Sequence, residues 1–179
     1  VVSNTATSDG QWHHLALTWA SASGDLLLYK DGVVAHRDTL APGQLLGPAG
    51  CLVEGQEQDA VDGGYDPGQA FAGTIDEVMV WRGVRSQQQI RSDMEGGLTG
   101  REDGLVLYWP FESIAGSVAS DATGQVDGEL VGLAPGTRPV EGRPAIRRGV
   151  WNPTHGFAAP GQRDAGLQVL AESGKWSSV

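Results

Sequence analysis

Trp12-His13-His14-Leu15-Ala16-Leu17-Thr18-Trp19, followed after a short gap by Leu26-Leu27-Leu28-Tyr29-Lys30-Asp31-Gly32-Val33-Val34, decides the fold. The first run alternates. Leu15, Leu17 and Trp19 point one way, and His14, Ala16 and Thr18 the other, which is the period of a half-buried strand. Leu26 to Lys30 and Val33 to Arg37 then flank Asp31-Gly32. Both residues of such a turn need positive φ, which Asp and Gly tolerate, so the two runs read as a β-hairpin. Ser8-Asp9-Gly10 marks a turn ahead of them.

The pattern continues downstream. Ala41 to Ala49 is a Pro/Gly-rich connection. Leu52 and Val53 read as a short apolar strand. Thr74 to Trp81 reads as one strand, with Ile75, Glu77, Met79 and Trp81 on one face and Asp76, Val78 and Val80 on the other. Ser86 with Gln89 forms a capping box that opens a short helix from Gln87 to about Met94. Gly96-Gly97 stops it. Leu105, Leu107, Trp109 and Phe111 alternate with Val106 and Tyr108 as another strand, and Pro110 belongs at an edge or an end because it cannot donate to a ladder. Asp121-Ala122-Thr123-Gly124 turns the chain, and Gln125 to Val131 offers a last short strand. These runs predict an all-β protein, an antiparallel β-sandwich with one short helix.

The stretch from Leu105 either closes the same sandwich or opens a second copy; closure is preferred, because the chain after Gly132 lacks a strand-rich body. Beyond Ala134 lie five of the nine prolines, Pro135, Pro139, Pro144, Pro153 and Pro160. The domain is therefore expected over 1–133, with 134–179 as an extension or linker. Within it, Leu167, Val169 and Leu170 either dock on the domain or start the next module. The chain reads as a piece of a longer polypeptide, with the first strands of the domain expected outside it.

Composition narrows the function. With 27 glycines and a low charged fraction among 179 residues, the chain suits a loop-rich β protein. Its net charge of −10 argues against nucleic acid or an anionic membrane surface as partner. No apolar run has the length of a membrane span. Cys51 is the one cysteine, so no internal disulfide forms. The four histidines, His13, His14, His36 and His155, show no metal spacing.

The chemistry concentrates between the strands, in Cys51 to Trp81. Glu54, Glu57, Asp59, Asp62 and Asp66 supply carboxylates, and Gln56, Gln58 and Gln69 supply amide oxygens. No Lys or Arg lies between Arg37 and Arg82, while eight acids do: Asp38, Glu54, Glu57, Asp59, Asp62, Asp66, Asp76 and Glu77. Crowded carboxylates raise one another's pKa unless a positive charge sits among them. Calcium, held by carboxylate and carbonyl oxygens in flexible geometry, supplies that charge. The alternative is an acidic loop whose charges splay into water.

Two sets of residues carry a resemblance. Gly55-Gln56-Glu57-Gln58-Asp59, then Gly63-Gly64-Tyr65-Asp66, Gln69, Phe71, Gly73 and Trp81, is similar to the pentraxin family over some thirty residues. Trp12 to Trp19 with the Tyr29 to Gly32 hairpin resembles the wider laminin-G-like group, as do the strand-then-helix pair around Trp81 and the Leu105 to Phe111 run. Ala16 stands where pentraxins carry a cysteine. The resemblance implies a jelly roll with a two-calcium site on one face. Glu57 and Asp59 would share both ions, Gln58 would give its main-chain carbonyl to one, and Asp66 and Gln69 would complete the second.

A glycosidase on this architecture needs two carboxylates aimed at one bond. Asp76 and Glu77, as neighbours on a strand, are expected on opposite faces and so do not converge. The reading is a non-enzymatic, calcium-dependent binding or adhesion module of a larger protein, located outside the cell or at its surface, the ciliary surface included. Its ligand would be a glycan, a phosphoester or a protein partner. The rival is a purely structural spacer or assembly domain.

Overall fold

The Asp31-Gly32 turn anchors the architecture. In the computed structural model, residues 5–7, 9–46, 51–55, 59–60, 64, 66, 71, 73–112, 114–115, 117–130, 151–152, 156–157 and 167–171 are described. Strands β1 (His13–Ala20), β2 (Asp25–Lys30) and β3 (Val33–Thr39) form an antiparallel meander. Asp31 and Gly32 both take positive φ, +52° and +69°, and Lys30 faces Val33 across them, as the hairpin reading requires.

The remaining strands are β4 (Gly73–Asp76), β5 (Val78–Trp81), β6 (Leu105–Trp109), β7 (Ile114–Ala115), β8 (Val118–Ala119), β9 (Gly128–Glu129), β10 (Trp151–Asn152), β11 (Gly156–Phe157) and β12 (Leu167–Ala171). The largest sheet runs in the order β3-β2-β1-β12-β4, with β5 paired to β6, β7-β8-β9 as a small sheet and β10 paired to β11. Among the described residues the architecture is all-β and antiparallel with one short helix, as expected for a jelly roll. Of the two placements open for Leu167, Val169 and Leu170, the structure takes docking: β12 pairs with β1 on one side and β4 on the other. Strand β6 pairs with β5, Val78 opposite Trp109 and Val80 opposite Leu107.

Helix α1 (Gln87–Met94) starts at Ser86, whose hydroxyl accepts from the Gln89 amide while the Gln89 side chain accepts from the Ser86 amide. Gly96 and Gly97 come next at positive φ and end it. Ile90 and Met94 pack with Tyr29, Ala16, Leu27 and Val34. The helix is pinned at both ends of its docking face. Gln87 Nε2 and Arg91 Nε both donate to the Gly32 carbonyl, at 2.8 and 3.0 Å. Arg85 makes a bidentate pair with the buried Asp93 and stacks 3.8 Å from the centre of the Trp81 ring.

That docking makes Gly32 a sensitive position. A Cβ there would lie 2.7 Å from Arg91 Cγ and 3.1 Å from Met94 Sδ, at a φ of +69°. Gly32→Ala is expected to destabilise the chain by about 1–3 kcal/mol, from backbone strain together with displacement of the helix. Urea unfolding of the two proteins measures it, and an unchanged midpoint would contradict this account of the helix seat.

The structure corrects three local expectations. Leu52 and Val53 form no strand; Leu52 is 47% exposed, so no sheet face buries it. The run from Thr74 to Trp81 is two strands, because Glu77 adopts φ +56° between them. This inserts one residue out of phase, so Ile75 packs with Val78 and Val80 against Leu107, Trp109 and Phe111 instead of facing away from them. The strand from Leu105 ends at Trp109 instead of Phe111; Phe111, at φ +53° after Pro110, still packs with Leu107 and Trp109.

Candidate functional site

The acidic loop stands on a closed base. Gly55 takes φ +78° and accepts the Phe71 amide at 2.7 Å, so the chain enters and leaves the loop at one point. A Cβ on Gly55 would lie 3.3 Å from Ile75 Cδ1, which ties that point to β4. Inside the loop, Gly64 at φ +75° presses against Asp59: a Cβ there would lie 2.7 Å from Asp59 Cβ and 3.1 Å from its backbone nitrogen. Asp59 and Gly64 are therefore in direct contact, a close approach that only glycine permits.

Of the residues expected to hold calcium, Asp59 and Asp66 are described, and both are exposed. Glu57, Gln58 and Gln69 lie outside the described residues. Among the described residues no group of three or more His, Cys, Asp or Glu gathers as a metal cluster. At the loop's entry, Glu54 is exposed as a residue, yet desolvation of its carboxyl raises the pKa. The oxygen-only donor types and the Gly64 clasp fit a hard cation such as calcium. Asp59 and Asp66 would contribute carboxylates to it.

A second concavity lies elsewhere, a cavity of about 450 Å³ lined by Glu77, Tyr108, Pro110, Glu112, Glu95 and Thr99 among others. Glu77 is 1% exposed, and the Tyr108 hydroxyl donates to its Oε2. Strand alternation assigned Glu77 to a face and gave no hint of this cavity, since the left-handed φ at Glu77 carries no period-2 signal. The same φ interrupts the strand between Asp76 and Val78; Asp76 and Glu77 are both buried, and Asp76 Oδ1 accepts the Glu77 amide at 3.1 Å.

His14 is buried at 4% exposure, and its Nδ1 has no hydrogen-bond partner among the described residues. Burial pushes its pKa down to about 4, against a smaller opposing pull from Asp31.

Known proteins are similar to this chain in sequence and in fold. The chain is 32% identical over 182 residues to the sushi, von Willebrand factor type A, EGF and pentraxin domain-containing protein 1 of Rattus norvegicus, a match covering 96% of this chain and 5% of that protein. Neuronal pentraxin-2 of Mus musculus is 39% identical over 84 residues, covering 46% of this chain and 20% of the relative. The chain thus spans a small part of the curated relatives it matches. Among solved structures, a candidate carbohydrate binding protein from Bacteroides ovatus superposes with a TM-score of 0.51 at 22% identity, over 71% of this chain and 36% of that one, which is a likeness of fold. The Pentaxin family model matches residues 1–112, a span that holds the β1–β3 meander, the acidic loop and helix α1 together. On that match, the chain belongs to the Pentaxin family.

Proposed function

We propose that the chain is a non-enzymatic, calcium-dependent binding module of a larger protein at the cell surface or outside the cell. Glu57, Gln58, Asp59, Asp66 and Gln69 are the proposed calcium ligands. The observation that carries this reading is the acidic loop itself. Its described carboxylates Asp59 and Asp66 are exposed, Gly64 packs directly against Asp59, and no Lys or Arg lies between Arg37 and Arg82. Membership of the Pentaxin family adds to it. Bound calcium would neutralise the loop and offer open coordination to ligand oxygens. The ligand class that uses such coordination is a hydroxylated or anionic one, a glycan or a phosphoester. We place the domain at residues 1–133 and take 134–179 as an extension whose Leu167–Ala171 segment returns to the sheet.

Calcium calorimetry on the chain, with melting curves in calcium and in chelator, tests the proposal. Binding in the micromolar to millimolar range and a higher Tm in calcium are expected, because a ligand bound only by the folded state stabilises it. Asp59→Asn should weaken calcium by at least about tenfold, a difference of ~1.4 kcal/mol. Glu57→Gln should do the same. No heat and no change in Tm would remove calcium from the account. The spacer reading would then lead, supported by the match in which this chain is 5% of a multidomain relative.

A further inference from the structure

His13 has a carboxylate at each ring nitrogen. Nδ1 lies 2.8 Å from Asp31 Oδ2, and Nε2 lies 3.0 Å from both carboxylate oxygens of Asp9. An ionised carboxylate only accepts hydrogen bonds, and a neutral imidazole carries a single N–H. Two such contacts therefore require a proton on each nitrogen. The three residues come from three places. Asp9 lies in the segment before β1, His13 opens β1, and Asp31 sits in the β2–β3 turn on which helix α1 docks through the Gly32 carbonyl. We infer that His13 is a proton-operated clasp: protonated, it fastens the Asp9–Gln11 turn to the β2–β3 turn, and it releases that turn as pH rises and the ring loses a proton.

The surrounding charges decide which side opens. Asp31 is held independently, because its Oδ1 accepts the His14 amide at 3.0 Å, and its side chain is 20% exposed. Asp9 is 50% exposed, and its Oδ1 is already satisfied by the Gln11 amide at 3.0 Å. On deprotonation Nδ1 keeps its hydrogen toward Asp31. The bare Nε2 then faces the Asp9 carboxylate, lone pair to lone pair, and Asp9 moves into water. Lys30 faces the same group. Its charge opposes protonation of His13, while its Nζ donates to the Ala6 carbonyl at 2.6 Å. That contact keeps the chain before Asp9 attached, so the release is confined to the turn. His14, buried and neutral, adds no charge. The His13 pKa is raised, first by the hydrogen bond to Asp31, against burial, with Asp9 adding to the rise. A raised folded-state pKa means that the clasp contributes fully below the ordinary histidine value and is lost as pH rises through the folded one.

The test is an NMR titration of the full chain, following the His13 ring signals and the Gln11 amide together. A midpoint above the ordinary histidine value of about 6.5 is expected, with the Gln11 amide shifting at the same midpoint and exchanging faster above it than intrinsic base catalysis accounts for. Asp9→Asn, an exposed substitution that spares the turn and the helix seat, should lower the midpoint and uncouple Gln11 from it. A wild-type midpoint at or below that ordinary value, a Gln11 amide that ignores the titration, or an Asp9→Asn midpoint equal to the wild type would each overturn the clasp.

Discussion

Asp121→Ala is expected to cost roughly 2–3 kcal/mol of folding stability, the upper part of the range for removing a buried hydrogen-bond acceptor and leaving its donors without that partner. Asp121 is 6% exposed. Its Oδ1 accepts the amides of Tyr108 and Thr123, both at 2.9 Å, and its Oδ2 accepts the Thr123 hydroxyl and the amides of Gln125 and Val126 at 2.5, 3.0 and 2.9 Å. One carboxylate thus organises the turn after β8 and ties it to β6. The turn in turn seats Ala122 against Gly100, where any Cβ would collide with the Ala122 carbonyl. Alanine would leave the buried Tyr108 amide without this acceptor and release the turn that the Thr123, Gln125 and Val126 amides hold to it. Urea unfolding at neutral pH measures the loss, and a value under about 1 kcal/mol would show that water replaces the carboxylate.

The same residue carries a pH signature. Burial by itself would raise the Asp121 pKa; the Thr123 hydroxyl and the Val126 and Tyr108 amides outweigh it and hold the value at about 2. The folded-state pKa lies below the unfolded one of about 3.9. Its contribution, roughly 2 kcal/mol, is therefore present above about pH 4 and lost as pH falls toward about 2.

Acidification from about pH 7 to about pH 4 is expected to remove roughly 3 kcal/mol through His14 alone, the second large effect. Here the unfolded histidine takes a proton near pH 6.5, while the buried one resists until about 4. The unfolded state binds more protons throughout that window, so stability falls as pH falls. Its neighbour His13 acts in the opposite sense, losing its contribution as pH rises. Stability should therefore peak near neutrality and decline on both sides. His14→Phe, similar in shape and without a titrating group, should flatten the acid limb above about pH 4 while leaving the alkaline one. An acid limb unchanged in His14→Phe would place the titrating group elsewhere.

Much of the fold was legible in local chemistry. The Asp31-Gly32 turn, the Ser86 to Gln89 capping box, the stop at Gly96-Gly97 and the turn at Asp121 depend on residues within a few positions of one another. Backbone preference and short-range hydrogen bonds suffice to specify them. The composition of the acidic loop was equally open to reading, since the absence of Lys and Arg from Arg37 to Arg82 is a property of order alone.

Tertiary structure decided the rest. Strand β1 alternates Leu15, Leu17 and Trp19 with His14, Ala16 and Thr18, and hydropathy favours the leucine face as the core. The structure buries His14 and Thr18 and leaves Leu17 64% exposed, because helix α1 covers the other face. Alternation reports that a strand has two faces, whereas which of them meets a neighbour depends on elements dozens of residues away. Glu77 shows the same limit: its left-handed φ splits one expected strand in two, in a stretch where Asp76 and Glu77 are both buried. The docking of Leu167–Ala171 between β1 and β4 is likewise a long-range pairing, specified by the open strand edges that receive it and by nothing in its own five residues.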